Sequence, residues 1–439
     1  MNSRVLIIGG GLSGLTTAFR LRSLGYHITL VDQGRLGDTE HFTPLTHAKP
    51  HTISLPPTNA EGNNPNSFPM VIHGFHHATW ALLKDLGTDS LFESYPSVNL
   101  EFLVNGQSPI EFKPYPLPSP LHILIRLLLF KGMPYTDRWE LIKKLEQLWE
   151  GDLALPQDLN SQYADAWMIS LGQSEEARRN IWNPLCQFLL GTGAMHSSAQ
   201  DLKEMLVQFF LSSRENHCTF LPNVDETTLL LSPLRHLIAT HNIHVQTKCT
   251  ATYFQYDSKG ISGVRLDDGT TLTADIYISA LPRKIFISCL PERLLAKYSY
   301  FSNLSQLTES PALVVRTEVP HTTGRPRLLL SANMFQWMTI LPHDTQSTST
   351  TFISGVALDN QQLLEKPDQE IVSALLSNLP FPFNKDINRV PPAQIFRPPH
   401  TLLSCKPNSS TYRPLQTSPI PNLFVVGSWT DTGLPTSRE

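Results

Sequence analysis

The first 32 residues contain a complete β-α-β unit, and no other stretch limits the fold as much. Val5-Leu6-Ile7-Ile8 is an all-apolar run of strand length that opens into Gly9-Gly10-Gly11-Leu12-Ser13-Gly14. Leu15, Ala18, Phe19, Leu21 and Leu24 then recur at helical spacing until Gly25, and His27-Ile28-Thr29-Leu30-Val31 forms a second strand ending in Asp32. A G-x-G-x-x-G pattern alone is weak, but between a strand and a helix it has a mechanism. Gly9 permits the tight turn, Gly11 lets the backbone approach a diphosphate, and Gly14 lets the helix pack on the strand. A carboxylate at the end of the second strand can accept ribose hydroxyls. The unit therefore predicts a Rossmann-like α/β domain that binds an AMP-containing dinucleotide.

The chain has 439 residues, long for one core, so two domains are expected. Hydrophobic residues make up 41% and charged residues 16%, enough to bury a large interior, and a net charge of −4 argues against a nucleic-acid partner. The five cysteines, Cys186, Cys218, Cys249, Cys289 and Cys405, are scattered and form no C-x-x-C pair. That excludes a disulfide framework and fits a reducing, cytoplasmic compartment. The opening residues run straight into a strand and read as lacking a signal peptide. The apolar run Leu121 to Phe130 falls short of the roughly 20 residues a membrane span needs. Any membrane contact would therefore be peripheral, on the inner face.

Farther along, residues 38–69 read as a long loop, and a helix runs from Phe75 to Leu86. Residues 136–215 read as mostly helical. "GVRLDDGTTLTADIYISALP" reads as a hairpin turning at Asp268-Gly269 followed by a buried strand. A last apolar strand, Leu423 to Val426, breaks at Gly427. Such a return to the nucleotide sheet from mid-chain, closed by a terminal strand, favours FAD over NAD. The expected division is 1–74 with 212–281 and 395–439 for a discontinuous FAD-binding domain. Residues 75–211 with 282–394 would form an inserted, helix-rich α+β substrate domain.

Several segments carry a more specific likeness. "FHHATWALLKDLG", "PLPSPLHILIRLLLF", "WNPLCQFLLGTGAMHSSAQ", Gln336-Trp337 and "RPPHTLLSCKPNSSTYRPLQTSPIPNLFVVGSWTDTGLP" together resemble the squalene-associated FAD-dependent desaturase (hydroxysqualene dehydroxylase) family, within the amine-oxidase and phytoene-desaturase-like superfamily. The Trp-x-Pro-Leu-Cys and Trp-Thr-x-Thr-Gly-Leu-Pro pieces are the discriminating ones. The resemblance implies FAD and a long-chain isoprenoid substrate. It also implies squalene-synthase-like partner enzymes and reduction of hydroxysqualene to squalene by hydride from reduced flavin N5. Motif and resemblance together give the cofactor-binding set Gly9, Gly11, Leu12, Ser13, Gly14, Asp32, Gln33, Ala251, Gly427, Ser428, Leu434, Ser437 and Arg438. No metal is implied.

The chain departs from that family in four places. Leu36-Gly37-Asp38-Thr39 replaces the usual Gly-Gly-Arg, and Ser67-Phe68-Pro69-Met70 replaces Asn-Gly-Gln-His. Ser428 stands for the Asp of the terminal Gly-Asp. Thr436-Ser437-Arg438-Glu439 has the form of a helix start without the helix, so a longer reading frame is expected. These departures keep open a flavin-poor, non-catalytic relative, beside a carotenoid-type desaturase or another amine-oxidase-like flavoenzyme. No catalytic residue can be assigned. His76, His77 and Tyr115 are candidates for the acid that protonates a leaving hydroxyl, and His73, His76 and His77 lack partners at metal-ligand spacing. His241 and His244 read as solvent-facing loop, and Cys186 as packing. The helices near 75–86, 121–130 and 180–211 are candidate walls of an apolar tunnel, and Leu121–Phe130 is also a candidate to lie on a bilayer.

Overall fold

The computed structural model describes residues 3–37, 69–92, 97–104, 108–150, 159–222, 224, 226–241, 243–320, 324–344, 349–380, 391–397 and 402–435. The expected loop over 38–69 lies almost wholly outside them, as do Ser437 and Arg438.

β1 (Arg4–Ile8) and β2 (His27–Asp32) pair in parallel, joined by α1 (Leu12–Leu21). Three later segments complete a five-stranded parallel sheet. His244–Thr247 pairs with β2, Ile276–Ser279 pairs with the other side of β1, and Leu423–Val425 closes the edge. Ile8, Ser279 and Val425 lie side by side in register, so the loops that follow these strands emerge at one edge. Both faces are covered, and side chains alternate between them. Val5 and Ile7 join Phe19, Leu83, Leu230 and Leu234 in one core, while Leu6 and Ile8 join Tyr277, Phe286 and Leu423 in the other. The hairpin turns at Gly269 and joins Ala251–Tyr256 in a three-stranded antiparallel sheet over the second face.

The second unit is built on a seven-stranded mixed sheet. Its central strands, Ala312–Val319, Ser349–Leu358 and Trp337–Asp344, are antiparallel, while Arg327–Ser331 pairs in parallel with Leu100–Leu103. At that parallel junction the Arg327 guanidinium grips the buried Glu101 carboxylate through Nε and Nη2. Helices from 121 to 211 cover one face with a core that includes Trp167, Trp182, Leu185 and Cys186. Asp368–Ser377 covers the other face.

The cores divide the chain differently from the sequence expectation. Helices Arg283–Cys289, Glu292–Lys297 and Ser299–Ser302 bury Phe286, Leu294 and Phe301 against the nucleotide sheet, so the boundary expected at 282 falls beyond Leu307. α2 (His77–Leu86) likewise packs Leu82 and Leu83 beside α1, although residue 75 was the expected boundary. Ala393–Phe396 pairs with Ala312–Val319, which puts residues 395 and 396 in the seven-stranded sheet. An amphipathic helix shows in its sequence that it has a buried face, but not which sheet that face meets. Two local readings also shift. His76 caps α2 rather than lying within it, and His244 begins a strand rather than lying in a loop.

Asn422 stitches the terminal strand to the hairpin. Its Oδ1 accepts from the Ile261 N–H at 2.9 Å and its Nδ2 donates to the Ile261 carbonyl at 2.8 Å. Its own carbonyl accepts from the Tyr277 N–H at 2.8 Å. Asn422→Ala strands both backbone groups of Ile261 and should cost about 1–3 kcal/mol in urea unfolding.

Candidate functional site

The glycine-rich loop leaves β1 with Gly9 at φ +106°. A β-carbon there would lie 2.8 Å from the Ala280 carbonyl oxygen, so both conformation and space require glycine. A β-carbon on Gly14 would collide with the Gly9 carbonyl. Gly11 differs: among the described residues a β-carbon there would meet no atom within 4 Å, so the backbone stands open. Gly11 is the N-cap of α1, no side chain caps the helix, and its first turn holds no acid. The N–H groups of Leu12, Ser13 and Gly14 precede the first intrahelical bond, from Leu15 N–H to the Gly11 carbonyl at 2.9 Å. Having no partner within the helix, these donors at the positive end of its dipole suit a diphosphate.

Asp32 organises the loop beside it. Its Oδ2 accepts from Gly10 N–H at 2.6 Å and its Oδ1 from Gly34 N–H at 2.7 Å. Asp32 also borders a small cleft lined by Gly9, Gln33, Cys249, Ala251 and Ile285 among others. The structure thus gathers Gly9, Asp32, Gln33 and Ala251 around one cavity. Asp38 and Thr39 lie outside the described residues. A guanidinium nevertheless stands at this turn, because Arg235 from the helix Ser232–Thr240 donates through Nε to the Leu36 carbonyl. Sequence reasoning missed Arg235, since nothing in its neighbourhood along the chain marks it.

The terminal loop leaves the same edge with one strand between, about 9–10 Å from the glycine loop at the usual strand spacing. Gly427 has φ +147°, and a β-carbon on it would press to 3.0 Å from the Trp429 indole nitrogen. Trp429 is buried, donates to the Leu281 carbonyl at 3.1 Å and stacks on Phe286. Arg413, also missed, gathers the carbonyls of Leu434, Ser428 and Thr430 on its two Nη atoms. Ser428 is exposed, and Leu434 packs against the core of the second unit.

That core holds a cluster of rings. His73 is buried, stacks on Phe75 at 5.1 Å and meets Phe188 and Phe209 edge-on at 5.6 and 5.0 Å. Its Nδ1 shares a hydrogen bond with Thr219 Oγ1 at 3.0 Å. Burial above all, then the neighbouring His76 and His217, hold the His73 pKa well below the usual imidazole range. Burial also brings His217 down to about 4, opposed by its hydrogen bond to the Phe209 carbonyl. Of the three acid candidates only His76 enters this cluster. Its Nδ1 accepts from the His73 N–H at 3.3 Å, which in the neutral ring leaves the proton on Nε2. His77 and Tyr115 are exposed. Cys186 is fully buried and its thiol is pushed up by burial, the state of a packing residue.

Comparisons with known proteins place these features in a family setting. A family profile described as flavin-containing amine oxidoreductase matches residues 51–437, and one for an NAD(P)-binding Rossmann-like domain matches residues 7–82. A probable zeta-carotene desaturase from Synechococcus elongatus is 22% identical, covering 99% of this chain and 95% of its own. The zeta-carotene desaturase of Zea mays is 21% identical, over 99% and 81%. Among solved structures, an oxidoreductase from Methanosarcina mazei superposes with a TM-score of 0.66 at 16% identity, over 97% of this chain and 95% of that one. Cyclohexylamine oxidase from Brevibacterium oxydans gives 0.64 at 16%, over 98% and 94%.

Two outcomes follow from the site's geometry. Gly11→Ala should leave the urea midpoint unchanged and weaken FAD binding about tenfold or more, because the methyl occupies the approach to the helix amides. Gly14→Ala should instead cost about 1–3 kcal/mol of stability through overpacking. His217 gives a pH signature. Between about 6.5 and its folded value of about 4 the unfolded chain binds the proton that the folded one refuses, so stability falls as pH drops through that window. His217→Phe should remove this loss. Its stability relative to wild type should rise by up to about 1.4 kcal/mol per pH unit on acidification, read from urea titrations at several pH values.

Proposed function

The chain belongs to the flavin-containing amine oxidoreductase family, and from that premise we propose that it transfers hydride between FAD and a long isoprenoid chain. The observation that carries the substrate class is the ring cluster of His73, Phe75, Phe188, Phe209 and Trp337, whose buried histidines His73 and His217 are held neutral. Surroundings that refuse an imidazolium also disfavour an ammonium, so a cationic amine would lose its water there without a counter-charge. A hydrocarbon loses nothing by the same transfer. The names of the carotenoid-desaturating relatives, aligned over 99% of this chain, point the same way.

Each part of the chain has a task in this reading. Gly9 to Gly14 and the start of α1 hold the diphosphate, and Asp32, Gln33 and Ala251 border the adenosine end. Arg413 fixes the terminal loop, with Gly427, Ser428 and Leu434, over the ring system. The aromatic cluster excludes water. Bound flavin supplies the hydride chemistry.

Between the two isoprenoid reactions, the Trp182-x-Pro184-Leu185-Cys186 and terminal Trp429-Thr430-x-Thr432-Gly433-Leu434-Pro435 segments favour reduction of hydroxysqualene to squalene. There a C–O bond breaks, the hydroxyl leaves as water with one proton, and hydride forms the new C–H bond. His76 Nε2–H can hydrogen-bond the leaving hydroxyl in this reading, but as a neutral imidazole it does not supply the proton. The named relatives favour the opposite direction, desaturation of a carotenoid precursor.

Purified protein loaded with FAD should be yellow and should convert hydroxysqualene to squalene under reducing conditions, followed by chromatography. Flavin bleaching by a zeta-carotene-type polyene, without squalene formation, would select desaturation instead. Turnover of a primary amine would overturn the isoprenoid reading. A colourless protein that fails to take up FAD would overturn the enzyme altogether.

A further inference from the structure

The glycine loop after β1 is held by a second turn that lies on it. Gly37 donates its N–H to the Gly10 carbonyl at 2.7 Å, so the turn that follows β2 rests on the loop that follows β1. Leu36 covers the same glycine: a β-carbon on Gly10 would lie 2.6 Å from Leu36 Cδ2. Asp32 ties the near side of this turn through the Gly34 N–H and ties the glycine loop through the Gly10 N–H. A shift of Leu36 and Gly37 is therefore passed to Gly10, one residue before the N-cap of α1.

The far side of the turn rests on Arg235. Its Nε donates to the Leu36 carbonyl across 199 residues of sequence. Its guanidinium fills the space a Gly37 side chain would need, since a β-carbon there would come within 2.8 Å of Nη2 and 3.2 Å of Nε. Gly37 also has φ +77°, so glycine serves both the conformation of the turn and the seat of the guanidinium. Arg235 is itself well anchored. Leu234 beside it and Ile238, one turn on, are buried in the core that also takes Leu15, Ala18 and Phe19 from α1. The helix that carries Arg235 and the helix whose first amides face the diphosphate site are thus fixed in one core, and the guanidinium reaches from it to the turn.

We propose that Arg235 is a positioning residue for the FAD diphosphate: it clamps the Leu36-Gly37 turn and so sets Gly10 and the open backbone at Gly11. Gly9, Gly10 and Gly11 stand in a row, and glycine loses more conformational freedom on ordering than any other residue. A loop of that composition needs an outside brace to hold its amides in a binding geometry. A hydrogen bond from a guanidinium is stronger than one between neutral groups, and its planar fork fixes direction as well as distance. Bracing the loop before the ligand arrives spares the ligand that cost. The role acts through the main chain. It rests on the cofactor and not on which substrate exchanges hydride with it.

The test is fluorescence titration of the full chain, freed of flavin, with FAD, using ADP and adenosine as competitors at low and high salt. Arg235→Met should weaken FAD and ADP about tenfold and adenosine about twofold or less, because Asp32, Gln33 and Ala251 stay in place. Gly37→Asn tolerates the positive φ but pushes the guanidinium away, and should reproduce that loss. The double variant should be no more than about twofold weaker than either single one, as expected of two residues acting through one contact. The loss should persist at high salt. Circular dichroism and the urea midpoint check that the variants fold. A loss that disappears at high salt would overturn the proposal, since Arg235 would then act as a charge on the phosphates. Equal loss for adenosine, additive single variants, or no loss in folded Arg235→Met would overturn it as well. Wild type that binds neither FAD nor ADP would overturn it together with the cofactor.

Discussion

Everything at the candidate site depends on one parallel register, in which Ile8, Ser279 and Val425 lie abreast. Parallel strands point their carboxyl ends the same way, so three loops that are far apart in the chain must emerge together. Any one-residue slip would exchange the two faces of a strand and put Leu6 where Val5 belongs. The alternation of Val5 and Ile7 into one core and Leu6 and Ile8 into the other fixes the register from both sides. The cost is non-local closure, since the edge strand at 423–425 pairs with a segment more than a hundred residues earlier.

Much of this was legible in the sequence wherever the determining forces are local. Apolar alternation, helical spacing and glycine placement sit within a few residues of one another in β1, α1 and β2, and the Asp268-Gly269 turn sits between its own strands. What the sequence withheld depends on distant packing. Phe286 and Leu294 lie on amphipathic helices that could cover either sheet, and only the folded chain shows them on the nucleotide side. His73 and His217 look like any surface histidines until Phe209 and Phe75 close around them. Arg235 and Arg413 work through main-chain carbonyls, which have no sequence signature at all.

The two units treat charge in opposite ways. The nucleotide edge concentrates at Leu12, Ser13 and Gly14 N–H dipoles that have no partner within the helix, and so attracts an anion. The ring cluster of the second unit strips charge even from imidazoles. Leu434 is one place where they touch: it belongs to the loop of the first unit and packs on the core of the second. A reaction that moves hydride between a charged cofactor and an uncharged chain needs a junction of this kind, polar on one side and dry on the other.

Arg413 holds the carbonyls of Leu434, Ser428 and Thr430. The loop's shape is therefore set by the chain's own contacts. Ordering entropy that would otherwise oppose capture of the prosthetic group is settled when the polypeptide folds. A loop tied down by its own guanidinium needs less of a ligand's binding energy to order it.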